Sequence, residues 1–337
     1  MSRFMDSRRS ALSRATRCVA GVLSCAAFAS ALSAAHAQNF PSGPVRIVAP
    51  YPPGGGTDIL SRAVGQKLTE RHGQPAIVDN RAGANGTIGA AYVAKAPADG
   101  HTMLIVPAGY AANPALYRNL PYDQSRELAP VSHLASGPLV LVVHRSIPAK
   151  SIKELIALAK SQPGAINCGS AGNGSLPHLS LELFNNMSGV RITHIPYKGS
   201  GAAIADVLSG QVPVYFMNIL QSLPLINANR LRALGVTSPQ RSPIAPNLPA
   251  IAEAGLPGFD MTNWYGLLVP AATPRETLVR LQQEVARILN LPELKQRLGD
   301  DGMIVVASTP DEFVQFLRRE TAKYNKVIEL AGIKGSL

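Results

Sequence analysis

The stretch that decides the fold of this chain is Pro50-Tyr51-Pro52-Pro53-Gly54-Gly55-Gly56-Thr57-Asp58. It follows a short apolar run, Val45–Ala49, that predicts a buried strand, and it precedes an amphipathic stretch that predicts a helix. A strand, a glycine-rich turn and a helix start place several free backbone N–H groups around one point, where the helix dipole adds partial positive charge. The stretch therefore predicts a site for a small anion, most simply a carboxylate.

A second turn of the same kind is Asn80-Arg81-Ala82-Gly83-Ala84-Asn85-Gly86-Thr87-Ile88-Gly89. It too follows an apolar run, at residues 76–78, and opens a helical pattern. The plain alternative is that the glycines only make tight strand-to-helix turns. Two such turns in one domain favour the anion site over that alternative.

Two more polar turns open predicted helices further along the chain. The first is Asn167-Cys168-Gly169-Ser170-Ala171-Gly172-Asn173-Gly174-Ser175-Leu176-Pro177-His178, and the second is Pro196-Tyr197-Lys198-Gly199-Ser200-Gly201. Taken singly, each is explained by a simple helix entry. Together with the first two turns, they predict a ligand held in a cleft between two parts of the fold.

Residues 1–37 have the pattern of a secretory signal peptide. Five arginines precede the apolar run from Cys18 to Leu32, and Ala35-His36-Ala37 provides small residues for cleavage. The mature chain is therefore predicted to begin at Gln38. The alternative, an N-terminal membrane anchor, is disfavoured because the apolar run is short for a span of about 20 residues.

Charge and cysteine content exclude several classes of protein. The net charge of +11 includes five arginines and one aspartate of the leader, so the mature chain carries +7. Its basic residues are spread along the chain and aromatic residues are few, which argues against a nucleic-acid surface. Cys168 is the one cysteine left after cleavage. An internal disulfide is therefore excluded in the mature chain.

Short apolar strands alternate with helical patterns, which predicts an α/β fold with parallel sheets and helices on both faces. Three helix starts have the sequence of a capping box, at Ser151, Thr273 and Thr309. The predicted strands are Val45–Ala49, 76–79, 102–106, Leu139–His144, 166–169, 191–195, 212–217 and Leu231–Val236.

Two lobes are expected, without a flexible tether between them. The chain is predicted to cross between lobes at Ala135-Ser136-Gly137-Pro138 and at Asp260-Met261-Thr262-Asn263-Trp264. Lobe I then consists of residues 38–136 and 262–337, and lobe II of residues 137–261. Each lobe contributes two of the four polar turns.

Known catalytic motifs fit poorly. The turn at Gly54 lacks the Gly-Lys-Ser/Thr of a phosphate-binding loop, and Ser170 lacks the first glycine of a nucleophile elbow. The mature histidines show no pair with helical metal-ligand spacing, and the chain has no Cys-x-x-Cys. No cofactor and no metal are expected.

The mature chain resembles the periplasmic solute-binding proteins of tripartite tricarboxylate transporters, the Bug family, over essentially all of residues 38–337. Its landmarks, in order, are the first turn (50–58), Val-Asp-Asn-Arg-Ala-Gly-Ala-Asn-Gly-Thr-Ile-Gly (78–89), Asp-Gly-His-Thr-Met-Leu (99–104), Leu-Pro-Tyr-Asp (120–123), Ser-Ala-Gly-Asn-Gly-Ser (170–175), His178-Leu179, Pro-Tyr-Lys-Gly-Ser-Gly (196–201), Leu-Arg-Ala-Leu-Gly-Val-Thr (231–237) and Trp264-Tyr265-Gly266.

The resemblance implies a two-lobed, type II periplasmic-binding-protein fold with a ligand cleft between the lobes. It implies a periplasmic, non-enzymatic receptor for a small mono-, di- or tricarboxylate, which could be aromatic, serving the permease subunits of such a transporter. No nucleic acid is expected as a partner, and the receptor is expected to act as a monomer.

The ligand's carboxylate would be held largely by lobe I, and lobe II would complete the site. The implied lobe I residues are Tyr51, Gly55, Gly56, Thr57, Asp58, Asn85, Gly86 and Thr87. Tyr110 is added as a ring that could stack on the ligand, the alternative being a plain surface tyrosine. The implied lobe II residues are Ser170, Asn173, Ser175, His178, Tyr197, Gly199 and Asn218.

One departure from the family pattern concerns the ligand. Relatives often carry an Asp where this chain has Met217, followed by Asn218. If position 217 faces the cleft, the site lacks a carboxylate for a ligand ammonium group, which favours a plain carboxylate over an amino acid.

Two alternative functions remain open on the sequence alone. One is an exported hydrolase or isomerase that uses Ser170 or Tyr197 with His178. The other is a sensor that presents its ligand to a membrane kinase. Turnover of the ligand would distinguish the enzyme, whereas ligand binding alone would not distinguish the sensor from the transport receptor.

Overall fold

The computed structural model describes residues 41–300 and 302–337. The chain divides into two units, Met1–Ser42 and Gly43–Leu337. The first lies almost wholly outside the described residues, and so do the predicted signal peptide and its cleavage site. The second contains every element described below. Within the described residues, no helix combines the length and the hydropathy needed to span a membrane.

The strands of the described part form two sheets. The first contains β1 (Val45–Ala49), β2 (Ala76–Asn80), β3 (Thr102–Pro107), β4 (Leu128–Gly137), β10 (Asn263–Pro270) and β11 (Ile304–Val305), in the order β11-β4-β10-β3-β1-β2. The second contains β5 (Leu139–His144), β6 (Asn167–Ser170), β7 (Thr193–Pro196), β8 (Val214–Asn218) and β9 (Leu231–Val236), in the order β7-β6-β8-β5-β9.

The helices connect these strands and cover the sheets. They are α1 (Gly56–His72), α2 (Thr87–Ala94), α3 (Asn113–Leu116), α4 (Ile152–Ser161), α5 (Leu176–Ser188), α6 (Ser200–Ser209), α7 (Ile219–Asn227), α8 (Ile251–Ala254), α9 (Arg275–Leu289), α10 (Pro292–Asp300) and α11 (Pro310–Leu330). Two 3₁₀ turns, Ala84–Gly86 and Ala108–Ala112, precede α2 and α3.

All eight predicted strands are present, with bounds that differ by at most two residues. The prediction of parallel sheets is only partly correct. Strand β10 runs antiparallel to β3 and β4, and β5 runs antiparallel to β8 and β9. The chain enters β5 and β10 directly from the other sheet and not through a helix of the same sheet. These two strands therefore run antiparallel to their neighbours.

The chain crosses between the sheets twice, and the two crossings lie side by side. Strand β4 ends at Gly137, β5 begins at Leu139, and Gly137 lies opposite Asn263 at the start of β10. The Thr237 hydroxyl links the crossings, because it donates to Met261 O and accepts from Leu139 N, both at 2.9 Å. Apart from Gly137, each sheet draws its strands from one of the two predicted lobes.

The first sheet is held by a buried aromatic cluster. All eight residues of β10 are buried. Trp264 stands edge-on to Phe313 and Phe316 of α11, with ring centroids 6.0 and 5.5 Å away. Its indole nitrogen donates to the Glu320 carboxylate at 2.9 Å. Helix α11 therefore covers the middle of this sheet with a single apolar stripe and one polar anchor.

The predicted helix caps are found at two of three positions. Thr309 and Glu312 form a complete capping box at α11, and the Ser151 hydroxyl accepts from Glu154 N at α4. The capping box predicted at Thr273 is wrong. Helix α9 begins at Arg275 with Pro274 at its N-cap, so the Thr273 side chain lies too early to reach the first turn.

Candidate functional site

Four helices begin at one cleft between the two sheets. The cleft has a volume of about 320 Å³. Helix α1 follows β1 in the first sheet, whereas α5, α6 and α7 follow β6, β7 and β8 in the second. The residues that these helix starts place on its wall are Gly55, Gly56, Thr57, Ser175, Leu176, Pro177, Gly199, Ser200, Gly201, Ala202, Asn218 and Gln221.

These helix starts offer backbone N–H groups that the helices themselves do not use. The first bond within α1 runs from Ile59 N to Gly55 O, so the N–H groups of the preceding residues have no acceptor in the helix. No side chain caps the N-termini of α1, α5, α6 or α7. Four positive dipole ends therefore converge on the cleft, an arrangement that attracts anions.

Glycine is required at two of these starts. A Cβ on Gly56 would overlap the hydroxyl and ring of Tyr265, which stands beside it on the cleft wall. Gly199 has φ +108°, and a Cβ there would lie 3.1 Å from Pro52 Cγ on the opposite wall. The absence of side chains at both positions lets the two walls approach each other and exposes the helix ends.

Three hydrogen bonds join the cleft walls. Asn85 Nδ2 donates to Gly174 O at 3.1 Å, Gln221 Nε2 to Gly54 O at 3.5 Å, and Asn263 Nδ2 to Asn218 Oδ1 at 3.1 Å. Asn85 has a left-handed backbone, with φ 50°. Its side-chain oxygen accepts from the Tyr51 hydroxyl at 2.5 Å. Asn85 thus anchors Tyr51 and connects the first sheet to the start of α5.

The cleft wall carries little formal charge. Among the described residues that line it, Lys198 is the one charged side chain, and it is exposed. Asp58 lies next to Thr57, but its carboxylate is engaged by Gly54 N, Arg62 and Asn80. Burial would raise the pKa of Asp58, yet these hydrogen bonds outweigh it and hold the pKa below its usual value. Asp58 therefore braces the first turn from behind.

A histidine pair, with His178 buried and His194 half-buried, lies behind the wall formed by α5. The rings of His178 and His194 stack with centroids 3.8 Å apart. His178 Nδ1 accepts from Gly174 N at 3.1 Å, and His194 Nε2 lies 2.6 Å from the Ser170 hydroxyl. Burial and the neighbouring His178 lower the pKa of His194 to about 3. Ser170 thus pairs with His194, and neither residue lines the cleft.

Two predicted tyrosines point away from the cleft. The Tyr197 hydroxyl donates to Asp206 at 2.6 Å, and burial with this carboxylate raises the pKa of Tyr197 to about 12. Tyr110 is 3% exposed and lines a separate cavity of about 1040 Å³ beside α11. Position 217 does not face the cleft either, because Met217 is buried in the core of the second sheet.

The sequence-derived site and the cleft overlap in part. The predicted residues that line the cleft are Tyr51, Gly55, Gly56, Thr57, Ser175, Gly199 and Asn218. The predicted residues outside its lining are Asp58, Asn85, Gly86, Thr87, Tyr110, Ser170, Asn173, His178 and Tyr197. Several of these brace the turns, as Asn85 and Asp58 do.

Sequence reasoning missed Asn263 and Tyr265 on β10, Gln221 on α7, Pro107 at the end of β3 and Gly109 in the turn that follows it. The strand β10 was not predicted, so its side chains had no assigned direction. The motif Trp264-Tyr265-Gly266 was the available signal for this wall.

Comparison with known proteins agrees with this geometry. The model of the tripartite tricarboxylate transporter family receptor, TctC, matches residues 60–333. The chain belongs to this family. The predicted α/β fold, a type II periplasmic-binding-protein fold, is confirmed by solved receptors of the same kind.

Individual relatives support the assignment. BugT of Bordetella pertussis is 35% identical over 300 residues, 88% of this chain and 92% of BugT. Rpa4515 of R. palustris, solved with adipate, is 37% identical, covers 88% of this chain and 99% of its own, and superposes with a TM-score of 0.84. MatC of Rhodopseudomonas palustris, solved with bound malate, is 31% identical with a TM-score of 0.80, over 86% of this chain and 100% of its own.

Proposed function

We propose that this receptor captures a small organic acid in the periplasm by its carboxylate and delivers it to the permease subunits of a tripartite tricarboxylate transporter. The observation that carries the proposal is the convergence of four uncapped helix N-termini on one cleft. The ligands of Rpa4515 and MatC, adipate and malate, are both carboxylates and support the same class.

Backbone dipoles suit a receptor that must also release its ligand. Hydrogen bonds from amides to a carboxylate are charge-assisted and strong, yet no fixed cation has to be left unpaired when the ligand leaves. The two nucleophiles considered for an enzyme, Ser170 and Tyr197, lie outside the cleft lining, where they are hydrogen-bonded to His194 and Asp206. The proposed role is binding without turnover.

Capture follows from the division of the helix starts between the sheets. Helix α1 belongs to the first sheet and α5, α6 and α7 to the second. All four helix N-termini therefore face the ligand together only when the two walls of the cleft are close to each other. Rotation at the paired crossings near Gly137 and Asn263 would open and close the cleft. A monomer meets these requirements, and the predicted signal peptide would export it.

The test is calorimetric titration of the chain from Gln38 onward, after unfolding and refolding to remove carried-over ligand. The panel contains mono-, di- and tricarboxylates, aromatic acids and acidic amino acids, and each titrated solution is assayed for unchanged ligand. We expect one-to-one binding of a carboxylate without consumption. Native refolded protein that binds no acid of the panel would contradict the proposal, and so would conversion of the ligand.

A further inference from the structure

Two side-chain oxygens at one end of the cleft are buried without a hydrogen-bond partner. They are Asn263 Oδ1 and Gln221 Oε1, and both residues line the cleft. Asn263 is 5% exposed. Its Nδ2 donates to Asn218 Oδ1 at 3.1 Å and to the Tyr265 hydroxyl at 2.9 Å, so both of its donors are used. No donor of the described residues is directed at either of the two oxygens.

The same residues enclose a small recess beside the main cleft. It has a volume of about 10 Å³, and its walls include Gly56, Asn218, Gln221, Asn263 and Tyr265. A space of this size accepts about one water-sized group. The recess therefore accommodates one group of about the size of a water molecule and is too small for a carboxylate.

We infer that this recess is a subsite for a hydroxyl group, and that the receptor selects hydroxylated carboxylic acids over the same acids without the hydroxyl. The inference rests on the proposed function, because the carboxylate would occupy the helix starts. A hydroxyl donates one hydrogen bond and fits the recess. An ammonium group fits less well, because no described residue lining the cleft or the recess is Asp or Glu.

The discrimination comes mainly from the acid that carries the hydroxyl. Both oxygens are already buried without a donor, and a plain acid leaves that desolvation cost in place. A hydroxyl that donates to one of them removes the cost, which corresponds to about a five- to hundredfold difference in affinity.

The experiment measures Kd for two matched pairs, malate against succinate and 2-hydroxyglutarate against glutarate. We expect at least one hydroxylated acid to bind about five- to hundredfold more tightly than its partner. Equal affinities, or tighter binding of the plain acids, would overturn the subsite and leave the carboxylate receptor intact. Absence of binding by all four acids would overturn this subsite, whereas the proposed function is contradicted only when no acid of the whole panel binds.

Two variants assign the effect to the recess. Gln221→Met removes one acceptor at similar length, and its matched control is Gln211→Met at an exposed glutamine. The first should lower the preference for the hydroxylated acid at least about threefold, and the control should leave it unchanged. Asn263→Asp places a carboxylate in the recess and should shift preference from malate toward aspartate. A hydroxyl preference that is unchanged in both Gln221→Met and a folded Asn263→Asp would overturn the assignment.

Discussion

Helix starts at the cleft and helix starts on the outer surface satisfy their N–H groups in different ways. At α4 and α11, Ser151 and Thr309 accept from the first turn, and Glu154 and Glu312 complete the arrangement. At α1, α5, α6 and α7, no side chain does so. The same physical need is therefore met by a side chain at α4 and α11, whereas at the four cleft helices the N–H groups stay available for a ligand; α9, away from the cleft, also has no side-chain cap.

This comparison separates stability from binding. Removing an outer cap should weaken the fold and leave the ligand affinity unchanged, whereas adding bulk at a cleft start should weaken binding first. The chain offers matched variants for both regions.

The largest effect is expected from Gly56→Ala against Gly55→Ala. A Cβ at Gly56 overlaps Tyr265, whereas a Cβ at Gly55 meets only Pro52 O at 3.8 Å. Overpacking of this kind costs about 1–3 kcal/mol, and displacing the Tyr265 ring from the cleft wall should carry this cost into binding, so Gly56→Ala should raise the Kd about five- to 150-fold. Gly55→Ala should change it less than about threefold. Titration of both variants with one acid measures the ratio of their Kd values. Equal Kd values would show that the contact between Gly56 and Tyr265 does not matter for binding.

The pH dependence of stability should also differ between His194, behind the cleft, and Glu312, at the outer cap of α11. The pKa of His194 is about 3 in the folded protein, below the value of about 6.5 in an unfolded chain. The unfolded state therefore binds an extra proton between these values, and stability is lost as the pH falls from about 6.5 toward 3. The loss is at most about 1.4 kcal/mol per pH unit, or about 2 kcal/mol at pH 5.

The pKa of Glu312 at the outer cap behaves differently. The Thr309 backbone and hydroxyl lower it, so the cap weakens only as the pH falls below the usual glutamate range. Urea unfolding at pH 7 and at pH 5 should therefore show a loss that His194→Gln reduces. An undiminished loss in that variant would place the titrating group elsewhere.

Thr309→Ala tests the outer caps directly. Loss of the capping hydroxyl should lower the free energy of unfolding by about 1 kcal/mol. Thr309→Ser keeps the hydroxyl and should retain most of the stability. Ligand affinity should be the same in both, because α11 starts outside the cleft lining. A weakened Kd in Thr309→Ala would show that the two regions are coupled.

The smallest effect is expected at Lys198. This lysine is exposed at the cleft, where a cation contributes about 0.2–1 kcal/mol and is screened by salt. Lys198→Met should raise the Kd about two- to fivefold at low salt and less at high salt, while Lys295→Met on α10 should not. A loss far above this range would mean that fixed charge, and not backbone dipoles, dominates the site.

Much of the fold was accessible from the sequence because buried strands are mainly apolar runs. Strands β1, β3, β5 and β9 are of this type, and their predicted bounds agree with the structure to within one residue. Strands β4 and β10 were missed because proline, serine and glycine interrupt them, as at Pro130 and Gly266. Their pairing depends on antiparallel partners that are distant in the chain.

The candidate site was accessible where a turn carries its own signal. A glycine-rich helix start is recognisable from a few consecutive residues, so the sequence correctly predicted Gly55, Gly56 and Thr57 on the cleft wall. Side-chain direction is not encoded in the same way. Tyr110 follows β3 yet lines the separate cavity beside α11. The side-chain amide of Asn85 donates hydrogen bonds to Gly109 O and Gly174 O and does not line the cleft.

The contact between Gly56 and Tyr265 also has a consequence for the history of the family. The Tyr265 ring occupies the space where a side chain of residue 56 would begin, and only a glycine at position 56 leaves room for it. A lineage that gains a side chain at position 56 while keeping the tyrosine at position 265 loses affinity, so selection for binding favours changing both positions. Aligned relatives should therefore show these positions, more than 200 residues apart, changing as a unit.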